Sequence, residues 1–274
     1  MHWGYFTHVA GTGRPAEVYR ETIELAIAAE GLGFQSFWIA QHHGDEAAGW
    51  LPSPLVLLAA VAQHTSTIRL GTAVVAVPLE NIGRLAEDAA VLDVLSGGRL
   101  ELGLGVGSSA AASTRFGLDH ATRHAAAERA IDELRDVLAG EALVPPAADL
   151  RGRLWWATGN SASVDAAAAR GIGVISGRPP EPPVPDDLAR YWARSVDEPR
   201  VAVSRLVTGS DRPDELAQRW AGDAAIRWAS ELILQTVPAG RPLAEQLAVM
   251  RRLTGDVRPA LRTALRSAPE LARA

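Results

Sequence analysis

The sequence predicts an α/β protein closed into a (β/α)8 TIM barrel, with a shortened second half. Two observations carry this. Short apolar runs alternate with amphipathic or alanine-rich segments along all 274 residues, and strands separated by helices call for a parallel sheet. Eight such units in a chain of this length match a closed barrel better than an open sheet.

The strands expected are Trp3–Val9, Phe34–Ala40, Ile68–Val77, Leu100–Val106, Leu154–Thr158, Ile172–Ser176, Val201–Thr208 and Glu231–Thr236. Each is a near-continuous apolar run, as a strand buried on both faces requires. Between them, helices are expected at Pro15–Leu32, Pro54–His64, Gly83–Leu95, Thr122–Leu138, Val164–Arg170, Asp186–Arg194 and Pro213–Trp228, followed by Pro242–Leu253 and Val257–Leu265. Ser53-Pro54 supplies an N-cap and a first-turn proline. Ser96-Gly97-Gly98 ends its helix with residues that tolerate a left-handed backbone. Glu141–Arg153 reads as loop, and Gly177–Pro185 as a proline string. Neither flank of these loops has enough chain to bury a core alone, so residues 1–274 read as one domain. The helix over Val164–Arg170 is barely two turns, which is where the second half is pared down.

Composition narrows the chemistry. Hydrophobic residues make up 47% of the chain and the net charge is −5. With no block of like charge, neither nucleic acid nor an anionic membrane is implied as a partner. Every basic side chain other than histidine is arginine, so Schiff-base chemistry on a lysine is excluded. There is no cysteine, which removes disulfides, thiolate catalysis and thiolate-held metals. The N-terminus, MHWGYFTHVAG, carries no charged leader before an apolar stretch, and Pro54–Ala62 is too short to span a bilayer. A soluble cytoplasmic protein is the expectation.

In a (β/α)8 barrel, functional residues gather at the C-terminal ends of the strands. His42 and His43 follow the second strand. Successive residues leaving a strand point to opposite sides, so one imidazole faces the barrel axis and the other packs away from it. His42 is the functional candidate and His43 a structural one. Metal binding would need a third ligand, for which His8 at the end of the first strand is the obvious choice, and no metal site is expected. A second candidate is Leu154–Ser163, where the chain breaks at Gly159 and enters a helix through Asn160, Ser161 and Ser163. Free N–H groups and hydroxyls there suit an anion, or serve as a plain N-cap. A third is the run Gly103-Leu104-Gly105-Val106-Gly107, whose glycines allow a flat ligand or a neighbouring backbone to approach closely.

Three stretches resemble the bacterial luciferase-like flavin monooxygenase superfamily: AEGLGFQSFWIAQHH, SPLVLLAAVAQHTSTIRLGTAVVAVPLENIGRLAEDAAVLDVLSGGRLELGLGVG and TGNSASVDAAAARGIGVI. They cover most of residues 1–177. The resemblance implies the barrel fold, reduced FMN as cofactor (the deazaflavin F420 in one branch), a separate flavin reductase, a small organic substrate and a homodimer. It places the catalytic histidine on His42, with Gln41 where a carboxylate is usual. It places a non-proline cis peptide near the flavin on Ala73-Val74 and phosphate contacts on Gly159, Asn160 and Ser163; the residues themselves add Ser161 at the helix start, and Gly105 and Gly107 as room for a flat ring. Val106 stands where an arginine holds phosphate in the luciferases. Catalytically silent flavin-binding relatives of the same fold are the alternative from another class. The apolar helix starting at Pro54 is the expected dimer contact, together with the helix that follows it.

Overall fold

Nine strand segments form one ring. In the computed structural model, which describes residues 1–267, their order is β3-β2-β1-β9-β8-β7-β6-β5-β4, and a pairing of β3 with β5 closes the circle. Every pairing is parallel. The strands are β1 (His2–Thr7), β2 (Ser36–Ile39), β3 (Arg69–Thr72), β4 (Val75–Ala76), β5 (Leu100–Gly105), β6 (Leu154–Ala157), β7 (Gly173–Ser176), β8 (Val201–Val207) and β9 (Glu231–Thr236). β3 and β4 share one barrel position, so the barrel has eight strand positions, as expected. Outside lie α1 (Pro15–Gly31), α2 (Pro54–Ala62), α3 (Ile82–Ser96), α4 (Ala110–Arg115), α5 (Arg123–Ala139), α6 (Ser161–Ala169), α7 (Val184–Arg194), α8 (Pro213–Ala221), α9 (Leu243–Arg252) and α10 (Arg258–Ser267).

Several expectations shift, among them the helix expected over Pro213–Trp228, which ends at Ala221. The single run Ile68–Val77 is interrupted between β3 and β4, and the Ala73-Val74 peptide in the gap is cis. Ser53 makes no side-chain cap to α2, whose start rests on Pro54 instead. The helix α4 was not expected; Ser109 caps it by accepting from the Ala112 N–H.

Strand residues alternate between two cores. Trp3, Tyr5, Phe37 and Val203 face outward under the helices. Phe6, Trp38, Trp155, Ile175, Ala202 and Ile233 fill the inside. Trp38 and Trp155 meet edge to face with centroids 5.8 Å apart. At the N-terminal end of the barrel their indole N–H groups donate to carboxylates, Trp38 to Glu231 (2.8 Å) and Trp155 to Glu101 (2.6 Å). Arg69 pairs with Glu101, and Ser36 donates to Glu231.

The glycines of β5 serve the bend at Ala73-Val74. A Cβ on Gly103 would run into the Thr72 carbonyl oxygen, and one on Gly105 into the Val74 side chain. The close approach these glycines permit is therefore by the neighbouring chain, and the room at Gly105 is taken by Val74 rather than left for a flat ring. Gly103→Ala is expected to destabilise the fold by about 1–3 kcal/mol, as overpacking of a tight interior does. A lower urea midpoint with an unchanged slope would show it; an unchanged midpoint would contradict it.

Candidate functional site at the barrel mouth

The C-terminal ends of β1 and β2 bring His8 and His42 together. His8 Nδ1 and His42 Nε2 share a hydrogen bond of 2.9 Å, and the rings lie nearly parallel with centroids 5.1 Å apart. The Gln235 side chain, from β9, and the Ala48 backbone lie beside His8 and favour its protonated form. His42 Nδ1 stays outside the imidazole pair. Gly49, at φ 153°, closes over the pair; a Cβ there would clash with the His8 carbonyl and the His42 ring. The loop is braced by the Trp50 N–H donating to Val9 (3.0 Å), the His42 N–H donating to Leu51 (2.8 Å) and the Tyr19 hydroxyl donating to the Trp50 carbonyl (2.6 Å).

Electrostatics keep this pair neutral. Burial, then the neighbouring His8, push His42 down to about 4, with Asp45 opposing. Burial also lowers His8. A neutral imidazole offers one donor and one acceptor nitrogen, so His42 can take a proton or orient a ligand at neutral pH.

His43 turns away and packs edge-on against Phe116, 4.7 Å between centroids. Its Nε2 is buried without a hydrogen-bond partner. Gln41 ties the mouth to the bend: its Nε2 donates to Glu80 (2.7 Å) and its Oε1 accepts from the Ala76 N–H (2.8 Å). Ala73 and Val74 are half-buried and pack on the inner cluster. Val106 and Gly107 are half-buried, and Gly107 takes φ +72° beside Ala76.

At the start of α6 the N-cap is Asn160, whose side chain accepts from the Ser163 N–H at 2.9 Å. Neither serine caps this helix. Ser163 is buried, Gly159 and Asn160 are exposed, and the Ser161 hydroxyl donates to Asp187 at 2.9 Å. The expected phosphate set thus lies at one helix start, but two of its groups already have partners inside the chain. The sequence did not single out Gln235, which comes from the last strand; its place one residue before the end of β9 was the available signal. His8, considered only as a metal ligand, proves to be a hydrogen-bond partner of His42. Among the described residues no group of three or more His, Cys, Asp or Glu is placed to hold a metal, and no helix is long and apolar enough to cross a membrane.

Comparison with known proteins places this mouth in context. The chain is 45% identical over 104 residues to the uncharacterized protein y4vJ of Sinorhizobium fredii, covering 38% of this chain and 29% of that one. It is 30% identical over 291 residues to the 4-hydroxyprotoasukamycin monooxygenase of Streptomyces nodosus subsp. asukaensis, covering 91% of this chain and 76% of that one. The fold matches the oxygenating constituent of 3,6-diketocamphane monooxygenase from Pseudomonas putida, solved in complex with FMN. The TM-score is 0.70 at 17% identity, over 94% of this chain and 98% of that one. At that identity the likeness speaks for the fold alone. The model for luciferase-like monooxygenases matches residues 1–266, and the chain belongs to that family.

Proposed function

We propose that the protein is an FMN-dependent monooxygenase acting on a small organic substrate, with reduced FMN supplied by a separate reductase. The observation that carries this reading is the neutral His42, hydrogen-bonded to His8, at the same mouth as the half-buried Ala73-Val74 bend. The Streptomyces relative named as a monooxygenase, matched over 91% of this chain and 76% of its own length, supports it. The residues present fit the cofactor. The apolar bend suits a flat ring, and the start of α6 offers first-turn N–H groups to a phosphate. Bound reduced FMN would supply the electrons that activate O2. Ala73 and Val74 would position the ring, the α6 start would hold the phosphate, and His42 Nδ1 would hold or move a proton at the substrate. Titration with FMN and, separately, with F420, followed by oxygen uptake with reduced flavin, tests the assignment. Tight binding of F420 with no FMN-dependent oxygen uptake would overturn it; FMN binding with neither turnover nor oxygen uptake would instead leave a silent flavin-binding protein.

The same reading includes a homodimer through α2 and α3. Most of α2 is buried against its own barrel, namely Pro54, Leu57, Leu58, Val61 and Ala62. Outside it remain Val56 (73% exposed), and on α3 Val91, Val94 and Leu95 (48%, 62% and 51%). An apolar patch on two packed helices suits a second copy of the chain. Light scattering at micromolar concentration is expected to give twice the 29.0 kDa chain mass, and Val56→Arg to reduce it to the monomer. A monomeric wild type would refute the dimer.

A further inference from the structure

The chain leaves β1 through a strained turn that fixes His8. Val9 takes φ 53°, the one positive value among the non-glycine residues described. A β-branched side chain resists that region, and such a conformation persists where its surroundings dictate it. Here the Val9 side chain is buried, its N–H donates to Thr7 Oγ1 (3.2 Å) and its carbonyl accepts from the Trp50 N–H (3.0 Å). The His8 ring lies against Phe6, 5.0 Å between centroids, with its Nδ1 on His42.

The bond between the two imidazoles has a direction. A neutral imidazole carries its proton on one nitrogen, so one ring donates and the other accepts. With Nδ1 turned to His42, the other nitrogen of His8 is Nε2. The Gln235 side chain and the Ala48 backbone beside the ring favour its protonated form, as acceptor oxygens do. They draw the His8 proton to Nε2 and leave Nδ1 as a lone pair. His42 then donates from Nε2, and its own lone pair sits on Nδ1. Gly49 covers the other edge of the His42 ring; a Cβ on it would strike Cδ2 and press on Nε2. Nδ1 bonds nothing among the described residues and stays accessible, unlike the buried Nε2 of His43.

We propose that His8 is a positioning residue for His42: its Nδ1 accepts the His42 Nε2–H and so fixes the tautomer that presents a lone pair, a base rather than an acid, at the mouth. When Nδ1 takes a proton, the new N–H bond uses that lone pair and the former bonding pair stays on the substrate. The Nε2–H then belongs to an imidazolium, and its hydrogen bond to His8 becomes charge-assisted and stronger. The part His8 plays in turnover rests on the oxygenase reading. The tautomer belongs to the chain itself and needs neither flavin nor substrate.

NMR of the histidine ring nitrogens in the flavin-free protein at neutral pH reads the tautomer, with the His42 signals identified by their loss in His42→Ala. His42 is expected to carry its proton on Nε2. His8→Asn, whose amide oxygen can stand in for Nδ1 as the acceptor, should keep that tautomer and most of the turnover. His8→Leu should mix the tautomers and lower kcat by about tenfold with KM little changed. It should also move the base limb of kcat/KM up from about 4, because His8 is the second cause of the His42 depression after burial. The other titratable groups acting on His42, Asp45 and His43, are the same in both variants. A purely structural His8 would change stability without changing the tautomer. A His42 proton on Nδ1 in the wild type, or an unmixed Nε2–H tautomer in His8→Leu, would overturn the proposal. The expected tautomers without any oxygen uptake would support it and count against the oxygenase reading alone.

Discussion

His42→Ala is expected to slow turnover by about a hundredfold or more while flavin affinity changes little. The size follows from the usual contribution of a positioned acid/base, and the split follows from the geometry. His42 meets His8 through Nε2 and keeps Nδ1 outside that bond, whereas the apolar bend and the α6 start lie on other strands. Because burial and His8 hold His42 down at about 4, a base limb from it in kcat/KM should fall near pH 4 rather than near the ordinary histidine value. The same depression links to stability: the unfolded chain binds this proton first, so stability present above pH 6.5 is lost as the pH falls through about 4. His43→Ala should act on stability, through Phe116. Equal turnover in wild type and His42→Ala, with flavin bound, would reduce the histidine pair to scaffolding.

Glu231→Gln is expected to stabilise the protein at alkaline pH. Glu231 lies on the inward face of β9, buried with Ser36 and Trp38 as donors. Burial raises its carboxyl from 4.5 to about 7, with the Glu101 carboxylate adding to the rise and the two hydrogen bonds opposing it. The folded state therefore holds the proton more tightly than the unfolded chain. Stability is full below pH 4.5 and declines as the pH rises through 7. The shift corresponds to a loss of about 3 kcal/mol. Glutamine keeps an acceptor oxygen for both donors and never ionises. At pH 8 the variant should be more stable by about 1–3 kcal/mol, and at pH 4 the two should lie within about 1 kcal/mol. Urea unfolding at the two pH values decides it; a variant less stable than wild type at pH 8 would mean that the ionised carboxylate is compensated by Arg69.

Local chemistry wrote much of the architecture into the chain. Strands two-sidedly apolar, a left-handed stop at Gly97 and Gly98, and proline starts at α1, α2 and α8 are nearest-neighbour effects, and they placed the β/α alternation, the barrel and the position of His42 at a strand end. The break at Ala73-Val74 was legible only through family resemblance. Tertiary structure decided the rest, because it depends on which strand ends meet once the ring closes. His8, His42 and Gln235 sit at the ends of β1, β2 and β9; Gln235 is more than 190 residues along the chain from either histidine, but the three strands are adjacent in the sheet. The His8–His42 hydrogen bond, and the burial that lowers the proton affinity of His42, follow from closure. So do the β5 glycines, whose space is filled by Thr72 and Val74. Likewise Ser161 could be read as an anion ligand until α7 brought Asp187 to its hydroxyl: a side chain's free hydrogen-bonding capacity is set by neighbours that only the packed fold supplies.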